Sequence, residues 1–279
     1  MKMDQSTKEI VAKEIIAKKI WRLLTPLKFR YAFSRIRMAL SDTPIMPSPT
    51  YADDGLISQH VSDFLTNPKF MDSYNLGKQG GALNMHPGDI HYRAYVACWA
   101  AKYATALDGD FVECGVGKAL LSKTIVNYLD FEKLEKKLYL FDTFEGIPVA
   151  QAKDDKERGN MDRLNQTHFS ISYYEDVKRS FEKYPNVILV KGRIPESFAI
   201  ISLGRVSYIS IDMNNAFAEM AAIEYLWEKL VIGGVIVLDD YAYGPEFMEQ
   251  KYAWDKFAAL KDFEILTLPT GQGLIIRNK

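Results

Sequence analysis

The chain has 279 residues, 48% apolar and 25% charged, with a net charge of −1, which suits one large α/β domain with an added segment and excludes the overall basicity of a nucleic-acid binder. Two cysteines, Cys98 and Cys114, are too few for a disulfide framework, so a reducing cytoplasm is expected. No apolar run reaches the roughly 18 residues of a membrane span, and charges interrupt the N-terminal stretch, so neither a transmembrane helix nor a signal peptide is expected.

Residues 1–40 carry ten Lys/Arg against Asp4, Glu9 and Glu14, a net of +7, leaving about −8 for the remainder. Within them Ile10, Val11, Ile15, Ile16 and Ile20 mark one face of an amphipathic helix over 7–23, with lysines filling much of the rest. This basic extension suits peripheral contact with an anionic membrane or a partner. It equally suits packing on the domain or on a second copy, and a homo-oligomer is expected. Residues 41–88 read as a linker, proline-rich over 41–49, followed by a lid-like segment with a glycine-rich stretch at 77–81.

From residue 89 an α/β rhythm begins. His91–Leu107 has a helical pattern, and strands are predicted at 110–114, 137–141, 187–191, 206–211, 234–238, 263–268 and 272–277. Helical segments separate the first five, which implies a doubly wound, mostly parallel sheet. The last two are joined only by Pro269-Thr270-Gly271, too short for a parallel crossover, so they form an antiparallel C-terminal hairpin. The predicted architecture is a Rossmann-like α/β fold with seven strands and an N-terminal helical extension.

In such a sheet ligands bind at the carboxyl ends of the strands. The first strand ends in Glu113-Cys114-Gly115-Val116-Gly117. Glycines there allow close approach of backbone to a ligand, and the following helix directs its positive end to the same place. The third glycine of a dinucleotide fingerprint is absent, because Leu120 occupies its position. The second strand ends in Asp142, which suits either a ribose diol or a turn. The third ends at Gly192, where backbone can approach an adenine or simply turn. Ser122 can line the same pocket or face its own helix.

Asp212 follows the fourth strand and Asp239-Asp240 the fifth. Neighbouring strand ends lie about 5 Å apart, so these three carboxylates can converge. Together they would repel, and a divalent cation with oxygen ligands, Mg²⁺ before zinc, would resolve the conflict. Asp212 is also the candidate base for a substrate hydroxyl. The alternative is that all three cap loops and helices. The four histidines, His60, His86, His91 and His168, show no ligand spacing, and the charge run over 154–163 suits a solvated helix or lid.

Taken together, Phe111-Val112-Glu113-Cys114-Gly115-Val116, Leu140-Phe141-Asp142-Thr143-Phe144-Glu145-Gly146, Ile211-Asp212 and Gly233-Gly234-Val235-Ile236-Val237-Leu238-Asp239-Asp240-Tyr241 resemble the macrocin O-methyltransferase family over about residues 90–277. Thr270-Gly271-Gln272-Gly273 also looks family-like. The resemblance implies a class I fold binding S-adenosylmethionine at Glu113, Gly115 and Asp142, and the strand-end reading adds Gly117, Ser122 and Gly192 to the expected cofactor site. It implies Mg²⁺ at Asp212, Asp239 and Asp240, and a hydroxylated, sugar-like small-molecule substrate in natural-product or glycan biosynthesis. Family members often carry Val-Trp-Arg-Gly-Gly where this chain has Val116-Gly117-Lys118-Ala119, and a second acid where it has Asn214. Two other classes compete: a nucleotide-dependent sugar-modifying oxidoreductase, and a non-catalytic scaffold of the same fold tethered by its basic N-terminus.

Overall fold

The computed structural model describes residues 49–79, 88–169 and 172–279. The expected amphipathic helix over 7–23 and His86 lie outside these residues. Thr50–Lys279 forms one compact unit. Where the sequence suggests a linker and lid, a short antiparallel hairpin, β1 (Tyr51–Asp53) and β2 (Leu56–Ser58), precedes helix α1 (Pro68–Gly77). The α1 start follows from local chemistry: the Asn67 side chain accepts a hydrogen bond from the Phe70 N–H, and Pro68 opens the first turn.

Helix α2 (His91–Ala104) leads into the sheet. Its strands are β3 (Asp110–Cys114), β4 (Leu138–Asp142), β5 (Val187–Lys191), β6 (Val206–Ile211), β7 (Leu230–Leu238), β8 (Leu266–Thr267) and β9 (Gly273–Ile276). They lie in the order β5-β4-β3-β6-β7-β9-β8. The first five pair in parallel, and β9 and β8 pair antiparallel at one edge. The predicted seven-stranded, mostly parallel sheet with an antiparallel C-terminal hairpin is therefore observed. Helices α3 (Leu120–Leu129), α4 (Asp155–His168), α5 (Tyr174–Ser180), α6 (Ala216–Trp227) and α7 (Met248–Lys261) make the connections.

Two strands differ in extent from expectation. The β7 strand begins at Leu230 and runs through Gly233-Gly234, with a register irregularity against β6. The β8 strand shrinks to two residues because only Leu266 and Thr267 find partners on β9, while Phe263 and Ile265 pack against the core instead.

Alternation along the parallel strands divides the core between the two faces. On β3, Phe111 joins a cluster with α1, α2 and α3 residues, whereas Val112 and Cys114 join the cluster on the α6 and α7 side. Burying a side chain such as Phe111 contributes roughly 1.5–3 kcal/mol, so these runs hold the strands in register. The chain enters the sheet at β3, winds outward to β5, then crosses back to β6 on the other side of β3. That reversal opens a crevice at the carboxyl ends of β3 and β6, where the glycine loop and Asp212 lie.

Candidate active site

Gly115 takes φ +85°, and a side-chain carbon there would overlap the Asp212 carbonyl. The glycine is therefore required by the close passage of β6 as well as by any ligand. The loop is latched by Asp142: its Oδ2 accepts from the Val116 and Gly117 N–H groups at 2.7 and 2.9 Å, and its Oδ1 from Phe144 N–H at 2.5 Å. Tyr173 Oη adds a longer contact at 3.4 Å. Burial raises the Asp142 pKa, opposed by these backbone donors. The carboxylate that the sequence suggests for a ribose thus holds the glycine loop and its own turn in shape.

Gly115, Gly117, Asp142 and Gly192 all line one cavity of about 540 Å³, together with Asp212, Asp239 and Asp240. Glu113 and Ser122 do not line it. Because Glu113 alternates with Cys114, it faces α3, where Ser122 Oγ donates to its Oε2 at 2.7 Å. Both residues are buried, and their interaction packs α3 beneath the glycine loop.

That placement has a measurable consequence. Burial pushes the Glu113 carboxyl up to about 8, against the Ser122 hydrogen bond. From about pH 4.5 to about 8 the native state keeps a proton that the unfolded chain releases, so this group lowers stability as pH rises through that window. Glu219, pushed by burial to about 8 and accepting from Trp254 Nε1 at 2.8 Å, acts in the same direction. Glu113→Gln is expected to match wild type near pH 5 and exceed its stability at pH 8 by on the order of 2–4 kcal/mol, read by urea unfolding at both pH values. Parallel pH profiles would refute this placement of the charge.

At the other end of the cavity, ligand atoms of Asp212, Asp239 and Asp240 lie within 4.8 Å of one another. They are not uncompensated, as the sequence suggests. Arg93 of α2, 2% exposed, donates through Nη1 to Asp239 Oδ2 at 2.6 Å, to the Asp239 carbonyl at 3.0 Å and to Asp240 Oδ1 at 3.4 Å. Through Nε and Nη2 it forks onto Asp54 of the β1–β2 turn at 3.1 and 3.3 Å. Burial opposes the guanidinium charge, but the Asp239, Asp240 and Asp54 carboxylates outweigh it and hold its pKa well above the ordinary value. Gln272 Nε2 donates to Asp239 Oδ1 at 3.1 Å.

One arginine facing four carboxylates still leaves a surplus of negative charge. Burial, then the Asp239 and Asp240 charges, raise Asp212 well above the carboxylate range, and burial with Asp239 raises Asp240 to about 7. Asn214, at φ +53°, donates to Asp212 Oδ1 at 3.2 Å. Tyr243 lays its ring 4.9 Å from the Arg93 guanidinium carbon and packs edge-on against Phe247, so an aromatic wall stands beside the acids.

Arg93 and Asp54 escape a motif search because they lie outside the strand ends. One signal does exist in the sequence. Arg93 shares the spacing of Ala97, Ala100 and Ala104, all fully buried, and a cation on a buried helical stripe requires a partner. Among the histidines, His91 is buried, His60 is exposed and His168 reaches the cavity wall. The 154–163 charge run belongs to α4 and its Asp154 cap.

The sheet order, the antiparallel edge and a cavity at the strand switch point define a methyltransferase-like α/β fold. The structure of the O-methyltransferase NovP matches with a TM-score of 0.58 at 21% identity, covering 67% of this chain and 80% of that one. The calicheamicin methyltransferase CalS11 matches with a TM-score of 0.54 at 15% identity, covering 78% and 94%. The macrocin O-methyltransferase family model matches residues 88–265, and the chain belongs to that family. A curated relative, the 8-demethyl-8-(2,3-dimethoxy-alpha-L-rhamnosyl)-tetracenomycin-C 4'-O-methyltransferase of Streptomyces olivaceus, is 26% identical over 153 residues, 52% of this chain. The chain spans 58% of the length of that relative.

Proposed function

We propose that this protein transfers a methyl group from S-adenosylmethionine to a hydroxyl of a sugar-like small molecule, with Mg²⁺ at the carboxylate end of the cavity. The observation that carries the reading is the shared cavity: the glycine loop latched by Asp142 and the three acids open onto one space. Family membership and a relative named for a methyl transfer to a rhamnosyl compound support the substrate class.

The acids fit a hard divalent cation. All three offer oxygen, their spread of up to 4.8 Å is close to what metal–oxygen distances of about 2.0–2.6 Å span, and the local charge remains negative after Arg93. Asp212, Asp239 and Asp240 would hold the ion, which when bound supplies Lewis-acid polarisation of an acceptor hydroxyl. The glycine loop and Gly192 would hold the cofactor. Asp212, which lines the cavity beside Asp239 and Asp240, would take the hydroxyl proton. The Tyr243–Phe247 wall would stack on the apolar face of a sugar ring. Alignment of sulfonium and hydroxyl then supplies the main rate advantage.

Calorimetric titration of S-adenosylmethionine into metal-stripped protein, then with Mg²⁺ and a panel of sugar diols, tests the reading. Cofactor binding and Mg²⁺-dependent diol binding are expected. Asp142→Ala, which frees the glycine-loop N–H groups, is expected to weaken cofactor binding at least about tenfold. A folded protein that binds no S-adenosylmethionine would overturn the reading and favour the oxidoreductase or scaffold.

A further inference from the structure

Arg93 divides its donors among three carboxylates contributed by two distant parts of the chain. Nη1 serves Asp239, with Asp240 further off, while Nε and Nη2 serve Asp54. Asp54 is 4% exposed, sits at φ +50° in the β1–β2 turn, and lies outside the segment matched by the family model. The Tyr243 ring lies over the guanidinium, and Arg93 already has acceptors in Asp54, Asp239 and Asp240, with the Thr270 carbonyl at 3.5 Å. Its directed contacts are with the acids, so it acts by positioning them.

A guanidinium beside Asp239 and Asp240 has two opposing effects on a divalent ion. It fixes the direction of the Asp239 carboxylate, but its positive charge repels the ion. Asp54 changes that balance: it engages the far side of the guanidinium, matches much of its charge, and adds a negative charge to the neighbourhood. We propose that Asp54 and Arg93 form a positioning pair that sets the divalent-cation affinity of the Asp212–Asp239–Asp240 site, with the N-terminal hairpin supplying the tuning charge. This rests on the metal-binding reading given above.

Asp54→Asn is the direct test. Asparagine tolerates a left-handed backbone, so the turn is kept while the charge is removed. Mn²⁺ affinity of the full chain, measured by calorimetry, is expected to fall on the order of tenfold, while S-adenosylmethionine affinity stays within about twofold because the cofactor end of the cavity is untouched. Arg93→Lys keeps the charge but offers one ammonium that cannot fork onto Asp54 while holding Asp239. It is expected to lower Mn²⁺ affinity as well, and it decides the matter if Asp54→Asn does not fold. Wild-type protein that binds no Mn²⁺ would remove the metal reading and the inference together. Wild-type binding with both variants within twofold of it would overturn the inference alone. Equal losses of Mn²⁺ and S-adenosylmethionine affinity would make the pair structural support and also overturn it.

Discussion

Gly115→Ala is expected to destabilise the fold by about 3 kcal/mol or more and to disable both ends of the cavity. Two costs combine. An alanine at φ +85° occupies backbone space that costs roughly 1–2 kcal/mol for a residue with a side chain. Its methyl group would also overlap the Asp212 carbonyl, which is backbone and has no rotamer to move aside. Relief requires β6 to withdraw from β3, against the Asp212 N–H bond to the Cys114 carbonyl at 2.9 Å and the parallel ladder below it. Such a shift would carry Asp212 away from Asp239 and Asp240. Gly159→Ala in α4 is the matched control, since nothing lies within 4 Å of the added carbon. It is expected to gain about 0.5–1 kcal/mol through helix propensity. Urea unfolding of both variants would check the contrast, and similar midpoints would contradict the close passage at Gly115.

The same crossing explains what the sequence could tell and where it stopped. The strands were legible because each buried run ends abruptly in an acid or glycine: Cys114-Gly115, Phe141-Asp142, Ile211-Asp212, Leu238-Asp239. A parallel sheet is covered on both faces, so Phe111-Val112-Glu113-Cys114 gives no sign of which face Glu113 occupies. Only the position of α3 makes it a partner of Ser122 instead of a cavity wall. Asp142 is a related case. Its place at a strand end was readable, but an acid can accept from backbone as well as from a ribose, and the number of nearby N–H donors depends on the loop. Arg93 and Asp54 were least visible, because their partners lie 146 and 39 residues from Arg93 in sequence. Charge balance at Asp239 is settled by three-dimensional contact, which the apolar pattern of α2 does not specify.

Asp239 and Asp240 are adjacent, yet their removal is expected to have different effects on stability and the same effect on metal binding. Asp239 is 6% exposed, receives the 2.6 Å bond from Arg93 and engages Gln272 through its other oxygen. Asp239→Ala would leave the guanidinium without its nearest counterion and the buried Gln272 amide with only the Arg93 carbonyl, at 3.5 Å, as acceptor. Breaking a buried pair from one side costs about 3–5 kcal/mol, and relief of repulsion among the remaining acids offsets part of that. A net loss of about 2–4 kcal/mol is expected. Asp240 is 15% exposed and only 3.4 Å from Arg93, with its pKa already raised to about 7. Asp240→Ala is expected to change stability by less than about 1 kcal/mol, since the attraction lost and the repulsion relieved nearly balance. Each substitution removes one of three anionic ligands, so each is expected to lower Mn²⁺ affinity and turnover at least about a hundredfold. Denaturant midpoints measured beside Mn²⁺ titrations would separate the two effects. Equal destabilisation by both variants would show that Arg93 does not discriminate between the two acids. Normal turnover of Asp239→Ala in excess chelator would remove the metal from the reaction.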